Sequence, residues 1–247
     1  MLSEQRHKMI LKLLYKNKSI TVTELTKILN ISESTARRDI TELDKAGKLV
    51  KVFGGAMVSD NIYLPTEPTV AQKAEFYKEE KQKIANYAVS LIQPQDFIYL
   101  DAGTTTGYMI DFLKEKDITV VTNAVAHAQR LATNEIRVLL LGGTLKGSTE
   151  AIVGATTVLM LKDYHFTKGF FGANGISKKA GLTTPDANEA LVKKTALQQC
   201  KKSYILCDHS KFNVVSSVEF APLMAGTILT DKKMEEFQDI ADIVSCS

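Results

Sequence analysis

Long hydrophobic runs are missing from the 247-residue sequence. Its longest apolar stretches, such as VLLLGG and IYLDAG, are far shorter than the roughly 20 residues that a helix needs to cross a bilayer. The first ten residues, MLSEQRHKMI, carry charge where a secretion signal needs its apolar region, so we expect no such signal. These absences predict a cytoplasmic protein with no membrane partner.

Cysteine is also scarce. The sequence has three, Cys200, Cys207 and Cys246, and no two of them have C-x-x-C spacing. An odd number without that spacing predicts free thiols in a reducing compartment. His209 lies nearby but completes no recognisable ligand set, so we expect no metal and no other cofactor.

Charge of one sign is nearly balanced by the other, and the net charge is only +3. The distribution is uneven, however. Up to Val58 there are 11 Lys and Arg against 6 Asp and Glu, a balance of +5, whereas the remainder has 20 against 22, a balance of −2. A basic head on a near-neutral body predicts that only the head meets nucleic acid.

Proline is rare, and two of the five prolines lie in the stretch SDNIYLPTEPTVAQKAEFYKEEKQK. This stretch predicts an exposed linker that passes into a charged helix from Phe76 to Leu91. Within that helix the run KEEKQK is interpreted as a solvated face. We therefore predict a DNA-binding domain over 1–58, a linker over 59–80 and a ligand-binding domain over 81–247.

The head contains three segments with helical periodicity and a short β pattern. The predicted buried stripes of the first two helices are Met9, Ile10, Leu13 and Leu14, then Leu25, Ile28 and Leu29. Thr21 or Thr23 caps the second helix, and Ser32 caps the third, which ends at Gly47. LVKVFGGAMV then alternates as in a hairpin. This order predicts an α+β winged helix-turn-helix, whose third helix enters the DNA major groove.

The third helix begins with hydroxyl groups and two adjacent arginines. Its predicted DNA-binding residues are Ser32, Ser34, Thr35, Arg37 and Arg38. Arginine is the side chain that most often recognises guanine, but the sequence leaves open which arginine contacts a base and which a phosphate. An isolated Arg-Arg pair is more often a solvated patch. The preceding helix, the turn and the wing favour binding to double-stranded DNA here.

Seven apolar segments of the body predict β-strands. They are FIYL (97–100), ITVVTN (118–123), RVLLLGG (137–143), GFFGANG (169–175), KSYILCD (202–208), GTILTD (226–231) and DIVS near the end. Helical patterns such as YMIDFLKE and VAHAQRLA separate most of them. This alternation predicts an α/β body with a largely parallel sheet covered on both faces. Ligands in such sheets bind at the carboxyl ends of the strands.

Polar residues cluster where these strands end. After the first strand, DAGTTTG combines a glycine that admits an anion with threonine donors and a helix N-terminus. It is a candidate phosphate site, although threonine there could instead only cap the helix. Further polar residues at strand ends are Asn123, Glu150, Asp186, Glu189, Lys193 and Lys211. Carboxylates and amides suit sugar hydroxyls and lysine suits phosphate, so we predict one shared small-molecule pocket.

Motifs along nearly the whole chain carry a resemblance to a known family. The head contains R-x-x-x-I-L-x-x-L from Arg6, then S-x-S-T-x-R-R-D-I-x-x-L and a final G-G-A. The body contains, in order, DAGTTT, VTN, LGG, E-x-x-x-G, FFGANGI, GLTTPD-x-x-EALVK and D-x-SKF. In these motifs the sequence resembles the DeoR family of bacterial transcription regulators. The resemblance implies a repressor whose body has a fold of the ribose-5-phosphate-isomerase type and binds a phosphorylated sugar.

The family pattern also implies the roles of the pocket residues. It places the ligand's phosphate at Asp101, Gly103, Thr104, Thr105 and Thr106, with Lys211 assisting. It places the sugar among Asn123, Glu150, Asp186, Glu189 and Lys193. GLTTPD with EALVK most resembles repressors of fructose-utilisation operons, which implies fructose 1-phosphate as the effector. A homodimer or homotetramer is expected, because helix-turn-helix proteins usually bind paired half-sites.

The alternative is a sugar-phosphate isomerase fused to a DNA-binding head. Glu189 could serve as its base. The isomerases that the body resembles carry an acidic D-G-A-D-type turn where this sequence has FGAN, from Phe171 to Asn174. Phe cannot ionise and Asn cannot supply a proton, so we predict a sensor and not an enzyme. The sequence leaves open the operator, the sugar phosphate and whether the ligand releases or strengthens DNA binding.

Overall fold

The computed structural model describes residues 2–17, 19–46, 48–57 and 70–246. The chain forms two compact units, a head (Met1–Glu67) and a body (Pro68–Ser247). Residues 59–69 of the predicted linker lie outside the described residues, whereas residues 70–80 are mostly helical. The predicted domain boundaries stay a prediction. Within the described ranges, every helix is too short or too polar to cross a lipid bilayer.

The head consists of three helices and a three-stranded antiparallel sheet. Its elements are α1 (Ser3–Asn17), β1 (Ser19–Thr21), α2 (Val22–Leu29), α3 (Glu33–Lys45), β2 (Val50–Val52) and β3 (Gly55–Met57). Strand β3 is central and pairs with both others. The predicted order of three helices and a wing is confirmed. Sequence analysis missed β1, because three residues are too few to show an alternating pattern.

The core of the head differs from the predicted stripes at two positions. Ile10, Leu14, Leu25, Leu29, Ile40 and Leu43 are buried and pack together. Met9 and Ile28, however, are 42% and 51% exposed. The buried face of α2 is instead formed by residues at i, i+3 and i+7, beginning with Val22, so Ile28 projects to one side of it. Thr21, rather than Thr23, caps α2.

The body alternates helices and strands. In chain order its elements are α4 (Val70–Glu75), α5 (Lys78–Ser90), β4 (Phe97–Leu100), α6 (Thr104–Phe112), β5 (Thr119–Thr122), α7 (Val125–Thr133), β6 (Arg137–Leu140), β7 (Thr144–Lys146), β8 (Ala151–Val153), α8 (Ala155–Lys162), β9 (Phe166–Gly172), β10 (Gly175–Ser177), β11 (Gly181–Thr184), α9 (Ala187–Gln198), β12 (Cys200–Leu206), β13 (Val218–Ala221), β14 (Thr227–Thr230) and β15 (Ile243–Ser245). The predicted helix from Phe76 begins two residues later, because Tyr77 has a left-handed φ of 53°.

Seven strands form one parallel sheet in the order β15-β14-β12-β9-β4-β5-β6. They are the seven apolar segments predicted as strands, so the predicted α/β body is confirmed. The chain adds β5 and β6 on one side of β4 and later places β9 on the other side. The strand order therefore reverses between β4 and β9, and ligand crevices form at such switch points.

Both faces of this sheet are covered. Alternate residues of β4 and β9 point to opposite sides. Tyr99 and Phe171 pack in a cluster with residues of α8 and α9, whereas Leu100 and Phe170 pack in a cluster with residues of α5 and α6. Burial on both faces explains why these strands are continuously apolar in the sequence.

Several short elements were not predicted. Strands β10, β11 and β13 form a small antiparallel sheet, and β7 pairs with β8 as a hairpin. Each has three or four residues, too few for a periodic pattern. Helices α4 and α8 were also missed. These short elements supply several of the side chains around the candidate pocket.

Candidate functional site

The first candidate site is the start of α3 in the head. The Ser32 hydroxyl caps the helix by accepting the backbone N–H of Thr35 at 3.2 Å. The same hydroxyl lies 3.0 Å from Ser34 Oγ and 2.8 Å from Thr35 Oγ1. Ser32 and Ser34 are exposed and Thr35 is half-buried. The predicted cap is confirmed, and it leaves hydroxyl groups at the exposed end of the predicted recognition helix.

The two arginines of α3 have different surroundings. Arg37 donates from Nε and Nη2 to Glu33 Oε1 at 3.0 and 2.6 Å, one helical turn away. Arg38 is exposed and makes no hydrogen bond or ion pair with any residue that the structure describes. Arg38 is therefore available to DNA without losing a contact, whereas Arg37 must first exchange its carboxylate partner.

A buried ion pair holds α3 against α1. Arg6 donates from Nε and Nη2 to the two carboxylate oxygens of Asp39 at 2.7 and 3.0 Å, and Asp39 is fully buried. Burial by itself would raise the pKa of Asp39, but the hydrogen bonds and charge of Arg6 lower this pKa below its ordinary value. On the other side of α3, Lys51 of the wing donates from Nζ to Thr41 Oγ1 at 3.0 Å. Helix α3 is thus fixed to α1 and to the wing.

One group in the described part of the chain has side chains spaced for a metal ion: His7, Asp39 and Glu42. His7 Nε2 lies 3.3 Å from Asp39 Oδ1 and 3.5 Å from Glu42 Oε2. Both Asp39 oxygens already accept hydrogen bonds from the Arg6 guanidinium. A cation bound there would face that positive charge, so this group does not fit a metal.

The second candidate site lies at the switch point of the body sheet. Asp101 follows β4, and its Oδ2 accepts the N–H of Gly172 at the end of β9 at 3.0 Å. The Lys193 ammonium from α9 forms an ion pair with Asp101 and donates to Gly172 O at 2.9 Å. Asp101 and Lys193 are 3% and 7% exposed. Two predicted pocket residues, distant in sequence, therefore meet between β4 and β9.

The first turn of α6 also lies at this point. Gly103 is the N-cap residue of α6, and no side chain accepts a hydrogen bond at this cap. The Thr106 hydroxyl donates to the carbonyl oxygens of Asp101 and Gly103 at 2.7 and 2.8 Å, which shapes the turn. Thr104 is half-buried and Thr105 is 6% exposed. The threonines therefore do not cap the helix, and its N–H groups can bind an anion.

Glu189 is enclosed by three polar side chains. Its Oε1 accepts from Lys146 Nζ at 3.1 Å and Thr149 Oγ1 at 2.6 Å, and its Oε2 lies 3.4 Å from Thr184 Oγ1. Asp186 caps α9 through the N–H groups of Asn188 and Glu189, each at 2.9 Å.

Asp186 and Glu189 also share a cation, because Lys146 Nζ lies 3.3 Å from Asp186 Oδ2. Burial would raise the pKa of Asp186, but the N–H of Glu189 and the charge of Lys146 lower it below its ordinary value. The Asp186 carboxylate is thus stabilised in its charged form.

Asn123 and Glu150 have mainly structural roles in the body. Asn123 Oδ1 accepts from the Tyr99 hydroxyl at 3.0 Å, and Asn123 Nδ2 donates to Ile152 O at 3.0 Å. This amide therefore links β5 to β8. Glu150 is exposed, has a left-handed φ of 54° and donates its N–H to Lys146 O at 2.8 Å, which closes the β7–β8 turn. In the described residues, no hydrogen bond joins the Glu150 side chain to the other predicted pocket residues.

Lys211 lies beside two charged residues that sequence analysis did not assign to the site. It ends the 3-10 turn His209–Lys211 after β12. Lys81 of α5 is 3% exposed. Its pKa is lowered to about 8, mainly by burial and also by the charges of Lys211 and Lys73, against the opposing charge of Asp208. Asp208 is 1% exposed, and its Oδ2 has no hydrogen-bond partner among the described residues.

The interpretation of KEEKQK as a solvated face was therefore wrong for Lys81. A sequence signal was present, because Lys81 lies three and seven residues before the buried Ile84 and Ala88, on the same face of α5. Lys146 and Thr149 had no comparable signal, since they lie in the unpredicted β7–β8 hairpin. Asp208 was part of the D-x-SKF motif, but only its lysine was assigned.

Two family models match this chain. The DeoR-like helix-turn-helix domain matches residues 6–61, and the DeoR C terminal sensor domain matches residues 77–232. Among curated proteins, the chain is 45% identical to the uncharacterized HTH-type transcriptional regulator FruR of Bacillus subtilis, over 93% of this chain and 91% of that protein. It is 33% identical to the lactose phosphotransferase system repressor of Streptococcus mutans, over 99% and 100%, and 33% identical to the repressor GlcR of Bacillus subtilis, over 98% and 94%.

Solved structures resemble the fold at low sequence identity. The translation initiation factor eIF-2B of Pyrococcus horikoshii OT3 has a TM-score of 0.50 and 16% identity, and the match covers 89% of this chain and 84% of that chain. Ribose 5-phosphate isomerase A of Methanocaldococcus jannaschii has a TM-score of 0.42 and 18% identity over 55% of this chain and 54% of that chain. At these identities the likeness concerns the fold alone.

Proposed function

Because the chain belongs to the DeoR family of DNA-binding transcription regulators, we propose that it represses a sugar-utilisation operon and that a phosphorylated sugar controls its operator binding. The observation that carries this proposal is the uncapped N-terminus of α6 at the switch point of the sheet. Its N–H groups lie at the end of β4, and lysines occupy the neighbouring elements. This combination favours a phosphate group.

The phosphate would bind across adjacent strand ends. Strands β4, β9 and β12 are neighbours in the sheet. Gly103, Thr104 and Thr105 follow β4, and Lys211 follows β12. Lys81 is close enough to Lys211 for the two charges to influence each other. We therefore add Lys81 to the phosphate site, where a dianion would compensate two neighbouring ammonium groups.

The sugar would lie beside Lys193 and Glu189. Asp101 and Lys193 form one buried pair, and Lys146, Asp186 and Glu189 form a second charged group at the start of α9. Both groups present acceptors and donors of the kind that sugar hydroxyls need. Asn123 and Glu150, which the resemblance also implies, would contribute through the β5 and β7–β8 segments that they position.

Fructose 1-phosphate is the proposed effector. The GLTTPD and EALVK motifs and the 45% identity to a protein named FruR support it. Relatives named as lactose phosphotransferase system repressors support the broader class of sugar-operon regulators.

The chain is a regulator and not an enzyme, since its relatives are named as regulators and repressors. The site agrees with this. Phe171 is buried in the sheet, and Asn174 Oδ1 accepts from the Thr184 hydroxyl at 3.1 Å, so the FGAN turn has no ionisable group in the positions where the isomerases carry acids. Burial lowers the pKa of His127 to about 4, so this imidazole is neutral near pH 7.

A panel of sugar phosphates tests the proposal. The purified full chain is titrated with fructose 1-phosphate, fructose 6-phosphate, glucose 6-phosphate and ribose 5-phosphate, and thermal unfolding is recorded. A ligand that binds the folded state raises the melting temperature with concentration. We expect the largest rise with fructose 1-phosphate. If calorimetry also detects no binding of any panel member by folded protein, the proposed effector control is wrong.

The effect of the ligand on operator binding is measured with the same protein. A duplex is selected from a random library by repeated binding, labelled and titrated by fluorescence anisotropy with and without the bound sugar phosphate. We expect saturating ligand to change operator affinity roughly 5–150-fold, the usual range of allosteric coupling. Equal operator affinity with and without a ligand that demonstrably binds would refute control by that ligand.

A further inference from the structure

Helix α4 is held against the body by two side chains that bind its backbone. Lys81 Nζ of α5 donates to the carbonyl oxygen of Lys73, and the Tyr108 hydroxyl of α6 donates to the carbonyl oxygen of Ala74 at 3.1 Å. Both acceptors lie near the end of α4, where helical carbonyls lack partners within the helix. One short helix is therefore held by donors from two different helices.

One of these donors also belongs to the proposed phosphate site. Lys81 is buried and lies within electrostatic reach of Asp208 and Lys211. Its ammonium binds a neutral carbonyl of α4. A phosphate dianion would be a stronger partner, because hydrogen bonds between charged groups are roughly twice as strong as neutral ones. The ammonium has three N–H donors, so ligand and α4 would share it, and the charged ligand would have the larger influence on its position.

The connection between α4 and α5 touches a second part of the phosphate site. Tyr77 joins the two helices with a φ of 53°, which is uncommon for a residue other than glycine. Its ring meets the His209 ring edge-on, with centroids 5.1 Å apart. His209 begins the 3-10 turn that ends at Lys211. Movement of this turn toward a ligand would remove a contact that holds Tyr77 in its left-handed conformation.

We propose that α4 is the element through which ligand occupancy reaches the head. This inference rests on the proposed function. A phosphate bound at Lys81 and Lys211 draws the ammonium away from the Lys73 carbonyl and shifts the His209 turn, so that α4 loosens from α5 and α6. In sequence, α4 follows directly after the segment that leads from the head. Loosening α4, to which the chain connects the head, then alters the operator affinity of the head.

Hydrogen–deuterium exchange on the full chain tests this mechanism. The protein is compared alone and with each sugar phosphate of the panel at saturating concentration. We expect peptides over residues 101–107 to exchange more slowly with ligand and peptides over residues 70–77 to exchange faster. Slower exchange at 101–107 with unchanged or slower exchange at 70–77 would overturn the role of α4 and leave effector binding intact. No protection at 101–107 and no thermal shift would overturn both.

Tyr108→Phe tests the mechanism without using a residue of the ligand site. The variant removes the hydroxyl that binds Ala74 O and keeps the ring. We expect residues 70–77 to exchange roughly two- to tenfold faster in the free protein, the ratio that one net hydrogen bond gives. Effector affinity should rise by up to the same factor, because α4 is already loosened, and the effect of ligand on operator affinity should shrink.

Tyr87→Phe is the matched control. Tyr87 is 37% exposed on α5, and its hydroxyl makes no hydrogen bond to a described residue. This variant should match the unmodified protein in exchange and in coupling. If Tyr108→Phe also matches the unmodified protein in both measurements, α4 does not transmit the effect of ligand binding to the head.

Discussion

At the residue scale, the two arginines of α3 look equivalent in the sequence but have different neighbours in the structure. Arg37 is paired with Glu33, and Arg38 has no partner among the described residues. An exposed pair of this kind is worth only about 0.3–0.5 kcal/mol, so Glu33 would weaken the predicted contribution of Arg37 to DNA binding without abolishing it.

We expect Arg38→Ala to weaken binding to the selected operator by about 1–3 kcal/mol, the usual value of a specific arginine–base contact. Arg37→Ala should cost less, because its ion pair with Glu33 is lost on binding. Sugar-phosphate affinity should stay unchanged in both. Anisotropy titrations with the operator and a scrambled duplex measure the effect, and Lys45→Ala at the other end of α3 controls for lost charge. A larger effect of Arg37→Ala would contradict this ranking.

If Lys81 binds the phosphate as proposed, effector binding should depend on pH. A phosphate prefers the charged ammonium, and the pKa of Lys81 is about 8 because burial, Lys211 and Lys73 outweigh the attraction of Asp208. Cys207 nearby stays neutral, since burial raises its pKa to about 12. Raising the pH through 8 therefore removes the charge that binds phosphate, and affinity should fall between pH 7.5 and pH 9.5.

Calorimetric titrations at several pH values check this dependence. Lys81→Met should bind more weakly at pH 7 and show little further loss as the pH rises. An unmodified protein whose affinity is constant up to pH 9.5 would show that Lys81 does not contact the phosphate.

At the element scale, α3 depends on a buried charge for its position. Asp39 is fully buried, and removing it leaves the buried guanidinium of Arg6 without this carboxylate. Breaking such a pair typically costs about 3–5 kcal/mol. We expect Asp39→Ala to unfold the head at a much lower temperature while the body keeps its own transition.

Differential scanning calorimetry of the full chain measures this effect. Replacing both partners, as in Arg6→Met with Asp39→Leu, should restore most of the lost stability, because no unpaired charge then remains. Arg37→Gln, which breaks an exposed pair, is the control and should change the transition little. Equal loss in the single and double variants would show that packing, rather than charge, holds α3.

In the first turn of α6, one threonine stabilises the backbone and another is available to a ligand. Thr106 donates to two carbonyl oxygens of the turn, whereas the Thr105 hydroxyl makes no hydrogen bond to a described residue. We expect Thr105→Val and Lys211→Met to retain folding and operator binding but to lose the response to sugar phosphate. Thr106→Val should instead destabilise the body by about 1–3 kcal/mol, since a buried carbonyl loses its partner. Thermal unfolding and anisotropy titrations separate the two outcomes.

At the scale of the whole molecule, effector and operator are linked by thermodynamics. If a sugar phosphate changes operator affinity by some factor, the operator must change sugar-phosphate affinity by the same factor. We expect calorimetric titration of the protein–operator complex to reproduce the factor seen by anisotropy, whether it is a gain or a loss. Different factors would mean that the oligomeric state changes between the two titrations. Sedimentation with and without the operator would detect such a change. The expected homodimer or homotetramer is measured in the same runs.

Much of this molecule was predictable from its sequence. Strands such as β4 and β12 are buried on both faces, so their apolar character is continuous and visible in one dimension. The caps at Ser32 and Thr21 are equally local, because a hydroxyl bonds an N–H two or three residues away. The charge of the head and the polar ends of the strands are also sequence properties. They were sufficient to predict a head with a helix-turn-helix, an α/β body and the edge of the sheet where the candidate pocket lies.

Tertiary structure alone decided which polar groups meet. Asp101 and Lys193 are 92 residues apart, and only the reversal of strand order between β4 and β9 brings them together. Lys81 became a buried group because α5 packs against the sheet, although Lys78, Glu79 and Lys83 of KEEKQK remain exposed. Sequence periodicity reflects which face of a single helix or strand is buried. The pKa and the partners of a buried charge depend instead on elements that are distant in sequence and meet only in the folded chain.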